Sequence, residues 1–556
     1  MLEQIKHKIK QQLASKIKNF DFVIEEPKKG YADIAIPLFS YAKETGMPMK
    51  ETFDTIKTYL LDLKEIDNIA FVGGFLNVFI ERIIFSKTVL EHILTKKEEY
   101  GNKTQATQKV VVMDYSSPNI AKSFSVGHLR STMIGHSLNK IYQKLGYKVI
   151  SVNHLGDWGT QFGKMIVAYQ KWGKEELIKE NPIAELQNLY VRFHDEAKND
   201  PTLEQQGRNA FLKLEEGDSE ALRLWNWFKD ESLRKFMEMY DLLGVSFDYN
   251  DGESFYNDKM DQVVLELEEK GLLKFDQGAQ IVELGEDVPP ALIKRKDGAT
   301  LYATRDLAAL FYRFKTYHAD KILYVVGNEQ KLYFEQLKLV TEKMGYGFDI
   351  EHVNFGLVLL DGKKMSTRGG KGKSLESVIE QAVLTAKEAI VEKNPNLENQ
   401  DEVAKAVGIG AIIFNDLKNE RHLNIDFNLK NMLKFEGQTG PYLQYSSVRM
   451  SSVLNNQTLN DKIDLNSFKE DDYFGIVKLL AQYPHIVKRA EEQNAPSVIA
   501  KYTLQLAQEF NRFYGKYKII CEDEILRQTN LKLTQAIQYI LNDALGLLGI
   551  KVLKQM

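Results

Sequence analysis

The sequence predicts an α/β fold: a parallel-sheet central domain with a helical insertion, an N-terminal α+β domain and a C-terminal all-helical bundle. Three observations carry this. A βαβ unit begins at Val110, where the β-branched run VVVMDY gives way to the polar turn SSPNIAKSF and then to a helical pattern. Leu129, Met133, Ile134, Leu138, Ile141 and Leu145 recur at the spacing of one buried helix face, Gly146 supplies a stop, and KVISVNH reads as the next strand. Such crossovers are nearly always right-handed, which makes the sheet parallel and Rossmann-like. Residues from about 165 to 245 are charged and helical in pattern, and include LWNWFKDESLRKF; strand-like AQIVEL, KILYVVG and EHVNFGLVLL follow, as in a sheet resumed after an insertion. From about Glu376 the chain reads as helical to its end.

With 556 residues the chain is too long for one simple core. Hydrophobic residues make up 44% and charged residues 27%, an ordinary globular balance. The formal charge is -4, so a nucleic-acid partner has to be gripped by local basic patches. Cys521 is alone, which excludes an intramolecular disulfide and a cysteine metal cluster, and the ten histidines show no HExxH spacing. No zinc is therefore expected. The lysine-rich first residues lack an apolar signal-peptide core, and no run is long and apolar enough to span a bilayer. A cytoplasmic location and no membrane partner are expected.

Residues 1–108 read as the N-terminal domain, with amphipathic helices at the start and around Glu51 to Leu63. FVGGFLNVFI, with paired glycines before alternating bulky residues, reads as a strand entered through a turn, and the polar TKKEEYGNKTQATQK as the linker that ends the domain. The central domain spans 109–425 and the helical bundle 426–556. Within the βαβ unit, Gly127 and His128 lie where a helix N-terminus offers free NH groups to phosphates, and Asn119, Lys122, Ser125, His128 and Arg130 crowd the same loop. HLGDWGTQFGKM reads as a tight loop at a strand end.

Further along, Tyr302 and Asp306 are four residues apart and share a face if TLYATRDLAAL is helical, and Gln330 follows the VVGNEQ strand end. Asp306 either binds a cationic ligand or caps a helix; the residues leave both open. DGKKMSTRGGKGKS is a basic, glycine-rich loop suited to phosphates, but it is no P-loop, because Thr367 stands where the first glycine belongs. AVGIGAIIFNDL lacks the third glycine of a dinucleotide fingerprint. EGQTGPYLQYSSVRM starts with turn residues and continues as a helix bearing Tyr442, Gln444, Tyr445 and Arg449. These either stack on unpaired RNA bases or are ordinary core and surface residues.

SVGH and KKMSTRGG, separated by an inserted segment, resemble the two signatures of class I aminoacyl-tRNA synthetases. SSPNIAKSFSVGHLRST, LGDWGTQFG, FDYNDGESFY, LYATRD, DGKKMSTR and EGQTGPYLQYSSVR together resemble the arginyl-tRNA synthetase family over essentially the whole chain. The resemblance implies a ligase that joins L-arginine and ATP, with Mg2+, to arginyl-adenylate and passes the arginyl group to the 3′-terminal adenosine of tRNA(Arg). It implies catalytic roles for Lys122, His128 and Lys364, ATP contacts from Ser125, Gly127, His128, Lys364, Met365 and Ser366, and an arginine pocket of Asp114, Ser116, Asn119, Tyr302, Asp306 and Gln330. It further implies that the N-terminal domain meets the tRNA elbow and the C-terminal domain the anticodon, that tRNA is bound before arginine is activated, and that the enzyme is a monomer without DNA as a partner. The chain departs from the family pattern in three places. Ser125 replaces the first histidine of the first signature, with Lys122 matching the lysine thought to compensate; Thr367 and Arg368 end the second signature; and Asp543, Ala544, Leu545 and Gly546 stand where Asp-Ala-Leu-Arg is usual.

Overall fold

The computed structural model describes residues 2–27, 32–103, 108–295, 302–360, 363–364 and 374–556, without the side chains of Tyr302, Leu360, Lys363 and Lys364. The N-terminal helices Leu2–Lys16, Phe39–Thr45 and Met49–Leu60 cover an antiparallel sheet whose strands lie in the order Ile34–Pro37, Phe75–Ile80, Ile66–Val72. FVGGFLNVFI is, as expected, a strand entered through a turn. Its glycines turn a hairpin at φ 59° and 81°, a conformation only glycine adopts freely at two successive positions, and the preceding Phe71 and Val72 finish the partner strand.

Of the segment read as a linker, residues 104–107 lie outside the described residues, and the part before them is structured. Thr95 and Lys96 end the helix Arg82–Lys96, residues Lys97–Glu99 form a 3-10 turn, and Tyr100 is buried. Helix Arg82–Lys96 begins at Glu81, whose carboxylate accepts from the NH groups of Ile83 and Ile84, and it packs on helices Asp471–Glu492 and Glu524–Leu547 of the C-terminal bundle.

The central sheet has four parallel strands in the order Ile350–His352, Lys321–Tyr324, Val110–Asp114, Lys148–Val152. Strand Val110–Asp114 therefore has its chain successor on one side and a much later strand on the other. This is the switch point where α/β sheets open a crevice beyond their C-terminal strand ends. The βαβ expectation holds: the helix Val126–Lys144 joins the two strands, and all six periodic apolar residues from Leu129 to Leu145 are buried.

AQIVEL does not belong to this sheet. Ala279–Val282 pairs antiparallel with Leu273–Asp276 and Ala291–Lys294 in a separate small sheet. EHVNFGLVLL splits in two, Ile350–His352 in the central sheet and Val358–Leu360 in a fourth sheet with Lys363–Lys364 and Ile425–Asp426. Its apolar pattern is continuous, so only the loop at Asn354 to Gly356 separates them.

The insertion is helical, as expected, with helices Thr160–Trp172, Glu175–Glu180, Pro182–Glu196, Thr202–Glu215 and Ser219–Leu243. It has its own core around Phe162, Phe193, Trp225 and Phe228. TQFGKM opens the first of these helices, so the glycine-dense loop is confined to His154–Gly159. Gly163 is needed there because a Cβ would meet the Gly207 carbonyl oxygen of the crossing helix at 2.1 Å. From Leu375 the chain is predominantly helical, ending in the bundle Gly440–Leu454, Asp471–Glu492, Pro496–Lys516 and Glu524–Leu547. AVGIGAIIFNDL forms most of the helix Gln400–Leu417. Among the described residues no helix is long and apolar enough to cross a membrane.

Candidate active site

Strand Val110–Asp114 ends in a loop held in unusual backbone geometry: Ser116, Ser117 and Ala121 have φ of 72°, 48° and 58°. Such residues cost about 1–3 kcal/mol each and persist only where the surroundings hold them. Here the insertion and the signature helix do so. Ala121 NH donates to Ser232 Oγ (3.2 Å) and Ser116 Oγ bonds Tyr240 Oη (2.7 Å), both from helix Ser219–Leu243. Ser116 NH donates to Ser131 Oγ (2.9 Å), which in turn donates to the carbonyl of Val325 beyond the neighbouring strand (2.7 Å). Ser116 is buried, and its hydroxyl faces this network.

The loop delivers the chain to Ser125 at the head of helix Val126–Lys144. Ser125 NH donates to His128 Nδ1 (3.0 Å), which assigns the proton of the neutral ring to Nε2. Burial, helped by the positive charge of Lys122, pushes the His128 pKa down to about 4. The ring is thus a neutral donor through Nε2 at the helix N-terminus. Lys122 is exposed, with its NH donating to the Asn119 carbonyl (3.3 Å). Half-buried Asn119 lies against Gly156, where a Cβ would meet its Oδ1 at 2.3 Å.

Arg130 does not join this loop. Its guanidinium is buried on the other side of the helix, paired with Asp416 (3.0 Å) and donating to the carbonyls of Gly356 and Leu423 (both 2.7 Å). Gly356 permits this, because a Cβ there would lie 2.6 Å from the Leu423 carbonyl. Arg130 thereby ties the first signature to the approach of the second, since Val358–Leu360 leads into Lys363–Lys364. The far end is tied as well: Leu375 NH donates to the carbonyl of Phe124, next to Ser125 (3.1 Å). Between these anchors, Met365, Ser366, Thr367 and Arg368 lie outside the described residues, as does the side chain of Lys364. Ser374 caps the following helix by accepting from Ser377 NH (3.2 Å).

Across the strand ends stands a second polar group. Helix Tyr302–Tyr317 includes Tyr302, whose side chain is outside the description, and half-buried Asp306. Asp306 sits in the second turn, so it is no helix cap. Burial, helped by the nearby Asp114 charge, pushes its carboxyl above the usual range against His154 (3.8 Å), a hydrogen bond from Tyr333 and the Arg313 charge. Asp114, also expected in the pocket, has other partners: Arg313 (2.8 Å) and the hydroxyl of Ser117 (3.0 Å) engage its buried carboxylate. Arg313 is fully buried, approaches His154 Nδ1 at 3.4 Å and lies against the rings of Tyr256 and Tyr324. Gln330, exposed, precedes the helix that presents Tyr333.

Sequence reasoning missed His154, Arg313, Tyr333, Ser232 and Tyr240. Two were within reach: Arg313 is seven residues, two helical turns, beyond Asp306, and His154 lies two residues past the end of strand Lys148–Val152. The others come from segments whose only local signal is helix.

Asp157 explains two of the sequence motifs. It is fully buried, accepts from the NH (2.8 Å) and hydroxyl (2.7 Å) of Ser254, and pairs with Lys229 (2.7 Å), so LGDWG and FDYNDGESFY clasp one another. In the bundle, Gln444 is fully buried and donates to the carbonyls of Ala406 (3.2 Å) and Lys551 (2.9 Å), which makes it a clamp rather than a surface group. Tyr442 is half-buried, accepting from Asn511 (3.0 Å). Tyr445 is exposed, and Arg449 lies between its ring and that of Tyr514, 4.9 and 5.0 Å from the centroids.

Comparison with known proteins matches this architecture part by part. The family described as tRNA synthetases class I (R), catalytic domain, covers residues 89–429; the DALR anticodon binding domain covers 443–556; and the arginyl tRNA synthetase N terminal domain covers 3–80. The chain is 50% identical over 538 residues to arginine–tRNA ligase 1 of Bacillus thuringiensis subsp. konkukian, spanning 96% of this chain and 95% of the relative. It is 48% identical over 545 residues to the arginine–tRNA ligase of an Exiguobacterium species, spanning 97% and 96%. In fold it is similar to the arginyl-tRNA synthetase of Thermus thermophilus, with TM-score 0.85, 24% identity and both chains covered completely. The chain belongs to the arginine–tRNA ligase family of class I aminoacyl-tRNA synthetases.

Proposed function

We infer that the chain is an arginine–tRNA ligase and that the crevice at the Asp114 strand end is where it works. In the first step a carboxylate oxygen of L-arginine attacks the α-phosphorus of ATP, the bond to the bridging oxygen breaks, and pyrophosphate leaves. In the second, a ribose hydroxyl of the 3′-terminal adenosine of tRNA attacks the activated carbonyl, loses its proton and releases AMP. Such chemistry depends on position and electrostatic stabilisation more than on a protein nucleophile.

The observation that carries the assignment is the hydrogen bond by which the segment following the second signature meets the residue before the head of the signature helix, at the end of a loop that starts from Asp114, near the half-buried Asp306. In this reading the Nε2–H of His128 and the free NH groups of the helix, with Ser125 and Gly127, hold phosphate oxygens, and Lys122 and Lys364 oppose the charge that develops at the α-phosphate, with Met365 and Ser366 beside the nucleotide. Asp306 receives the arginine guanidinium, with Tyr302, Asn119 and Gln330 around it, while Asp114 acts through Arg313. A lysine could not reproduce the planar fork that a carboxylate recognises. Magnesium enters with ATP, held by phosphate oxygens and water, and the reading requires no zinc.

The face formed by Tyr445, Arg449 and Tyr514 is suited to unpaired bases, which stack on aromatic rings and guanidinium planes. It would receive the anticodon, the N-terminal domain the tRNA elbow, with the chain acting as a cytoplasmic monomer. Arginine-dependent exchange of pyrophosphate into ATP, measured with and without tRNA beside an esterification assay, tests the reading. Exchange that requires arginine, together with esterified tRNA, supports it. RNA binding without either would reduce the chain to a non-catalytic relative.

A further inference from the structure

Arg421 touches none of the groups assigned above to substrate, yet it joins three segments remote in sequence. It lies in the loop between helix Gln400–Leu417 and strand Ile425–Asp426. Its Nη1 donates to the carbonyl and the side-chain oxygen of Asn354, both at 2.6 Å, and its Nε to the carbonyl of Asn494 (3.1 Å). Its own carbonyl accepts from Arg130 Nη2 (3.1 Å) and from Gly356 NH (2.9 Å).

Each partner belongs to a different body. Arg130 is on the signature helix. Asn354 and Gly356 form the irregular stretch from which the second signature springs. Asn494 is the corner between helices Asp471–Glu492 and Pro496–Lys516, buried at φ 46°, with its side chain accepting from Tyr142 Oη (2.8 Å) and donating to Glu351 (2.7 Å). The stretch Asn354–Gly356 lies between the strands Ile350–His352 and Val358–Leu360, which pair in different sheets. Its position is set from outside: Asn328 NH donates to the Phe355 carbonyl (2.9 Å), Arg130 reaches Gly356 from one direction, and Arg421 reaches Asn354 from the other.

Catalysis between two signatures demands that both be held to a fraction of an ångström, and a misplacement of about 1 Å can cost about 10²-fold in rate. Resting on the reading that the two signatures act together on ATP, we propose that Arg421 is a positioning residue: through it the corner of the C-terminal bundle sets the root of the second signature against the first. Asp306, the residue assigned to the guanidinium, stands on helix Tyr302–Tyr317, which shares no hydrogen bond with Arg421 among the described residues, whereas the turn Asn328–Gln330 of the same pocket meets the stretch through Asn328 NH on the Phe355 carbonyl (2.9 Å). Arg421 should then govern the rate of adenylation and leave arginine binding alone.

The test compares the full-length chain with Arg421→Met, which keeps the stem and removes every donor, and Arg421→Lys, which keeps the charge and loses the fork. Arginine-dependent pyrophosphate exchange is measured with tRNA present and expressed per active site, titrated by the burst of ATP consumption. Both variants are expected to lose at least about tenfold in kcat per active site, with KM for arginine within about twofold. Asn354→Ala, which removes one acceptor, is expected to move in the same direction by less, and gives the answer if the Arg421 variants fail to fold. An unchanged kcat per site with fewer active sites would make Arg421 merely structural and overturn the proposal. A raised KM for arginine at constant kcat, or full recovery in Arg421→Lys, would also overturn it. Wild-type protein without arginine-dependent exchange would remove the functional reading itself.

Discussion

Asp114, at the end of its strand, and Asp306, in the second turn of helix Tyr302–Tyr317, meet different partners. Asp114 neutralises the buried Arg313, whereas Asp306 meets a phenol and a histidine across 3.8 Å, leaving its charge available to a cation. Asp306→Ala is therefore expected to lower kcat/KM for arginine by about 10²–10⁴-fold, the equivalent of about 3–5 kcal/mol for truncating one side of a desolvated ion pair; steady-state exchange kinetics check it, and near-normal exchange would remove the residue from the pocket. The same burial gives a pH dependence. Because the carboxyl is pushed up and only its ionised form attracts a guanidinium, kcat/KM for arginine should fall on acidification from a higher pH than the usual carboxylate value of about 4. In Asp306→Asn that limb should vanish from the profile. Lys122 addresses a different quantity: with its charge near His128 and the helix N-terminus, Lys122→Ala should slow adenylation in single-turnover measurements while arginine KM stays within about twofold.

At the scale of elements, the helix Val126–Lys144 is a rod whose two ends do different work. Its N-terminus faces the nucleotide crevice; its C-terminal Lys144, almost completely buried, pairs with Asp543 of the last helix (2.9 Å) and donates to Glu98 and Asn102. Asp543, the first residue of the motif in which Gly546 stands for the usual arginine, also accepts from Tyr483. A Cβ at Gly546 would meet nothing, so crowding does not explain that departure. Asp543→Ala leaves the Lys144 charge buried without its carboxylate and should destabilise the chain by about 3–5 kcal/mol, read as an earlier transition in urea. The insertion helix Ser219–Leu243 is likewise more than a lateral addition, since Tyr240 bonds the positive-φ Ser116. Tyr240→Phe should cost about 0.5–1.5 kcal/mol of stability, one buried hydrogen bond, since the Ser116 hydroxyl keeps Thr132 as a partner. Equilibrium unfolding would show it.

On the scale of the whole molecule, the parts are joined through polar side chains as much as through apolar packing. Arg82 donates to Lys469 and pairs with Asp471, Lys478 pairs with Asp33, and Arg130, Arg421 and Asn494 connect the sheet domain to the bundle. These contacts span hundreds of residues, and nothing in the local spacing of Arg130 distinguishes a buried clamp from a phosphate ligand.

What the sequence by itself determined was everything that depends on local pattern. The βαβ unit, the helical insertion and the helical C-terminal part are legible in hydrophobic periodicity, because a helix face or a strand must bury its apolar residues whatever it packs against. The glycine and histidine at the helix N-terminus, and the placement of Tyr302 and Asp306 on one helix, are legible for the same reason. Only the tertiary structure decided which polar residues face the crevice. Arg130 and Gln444 turn into the core, Ser116 bonds inward, and Asp114 takes Arg313 as its partner, while His154, Tyr333 and Tyr240 arrive from remote segments. A buried charge or hydroxyl needs a partner, and its partner is fixed by the meeting of distant elements, which no local period records.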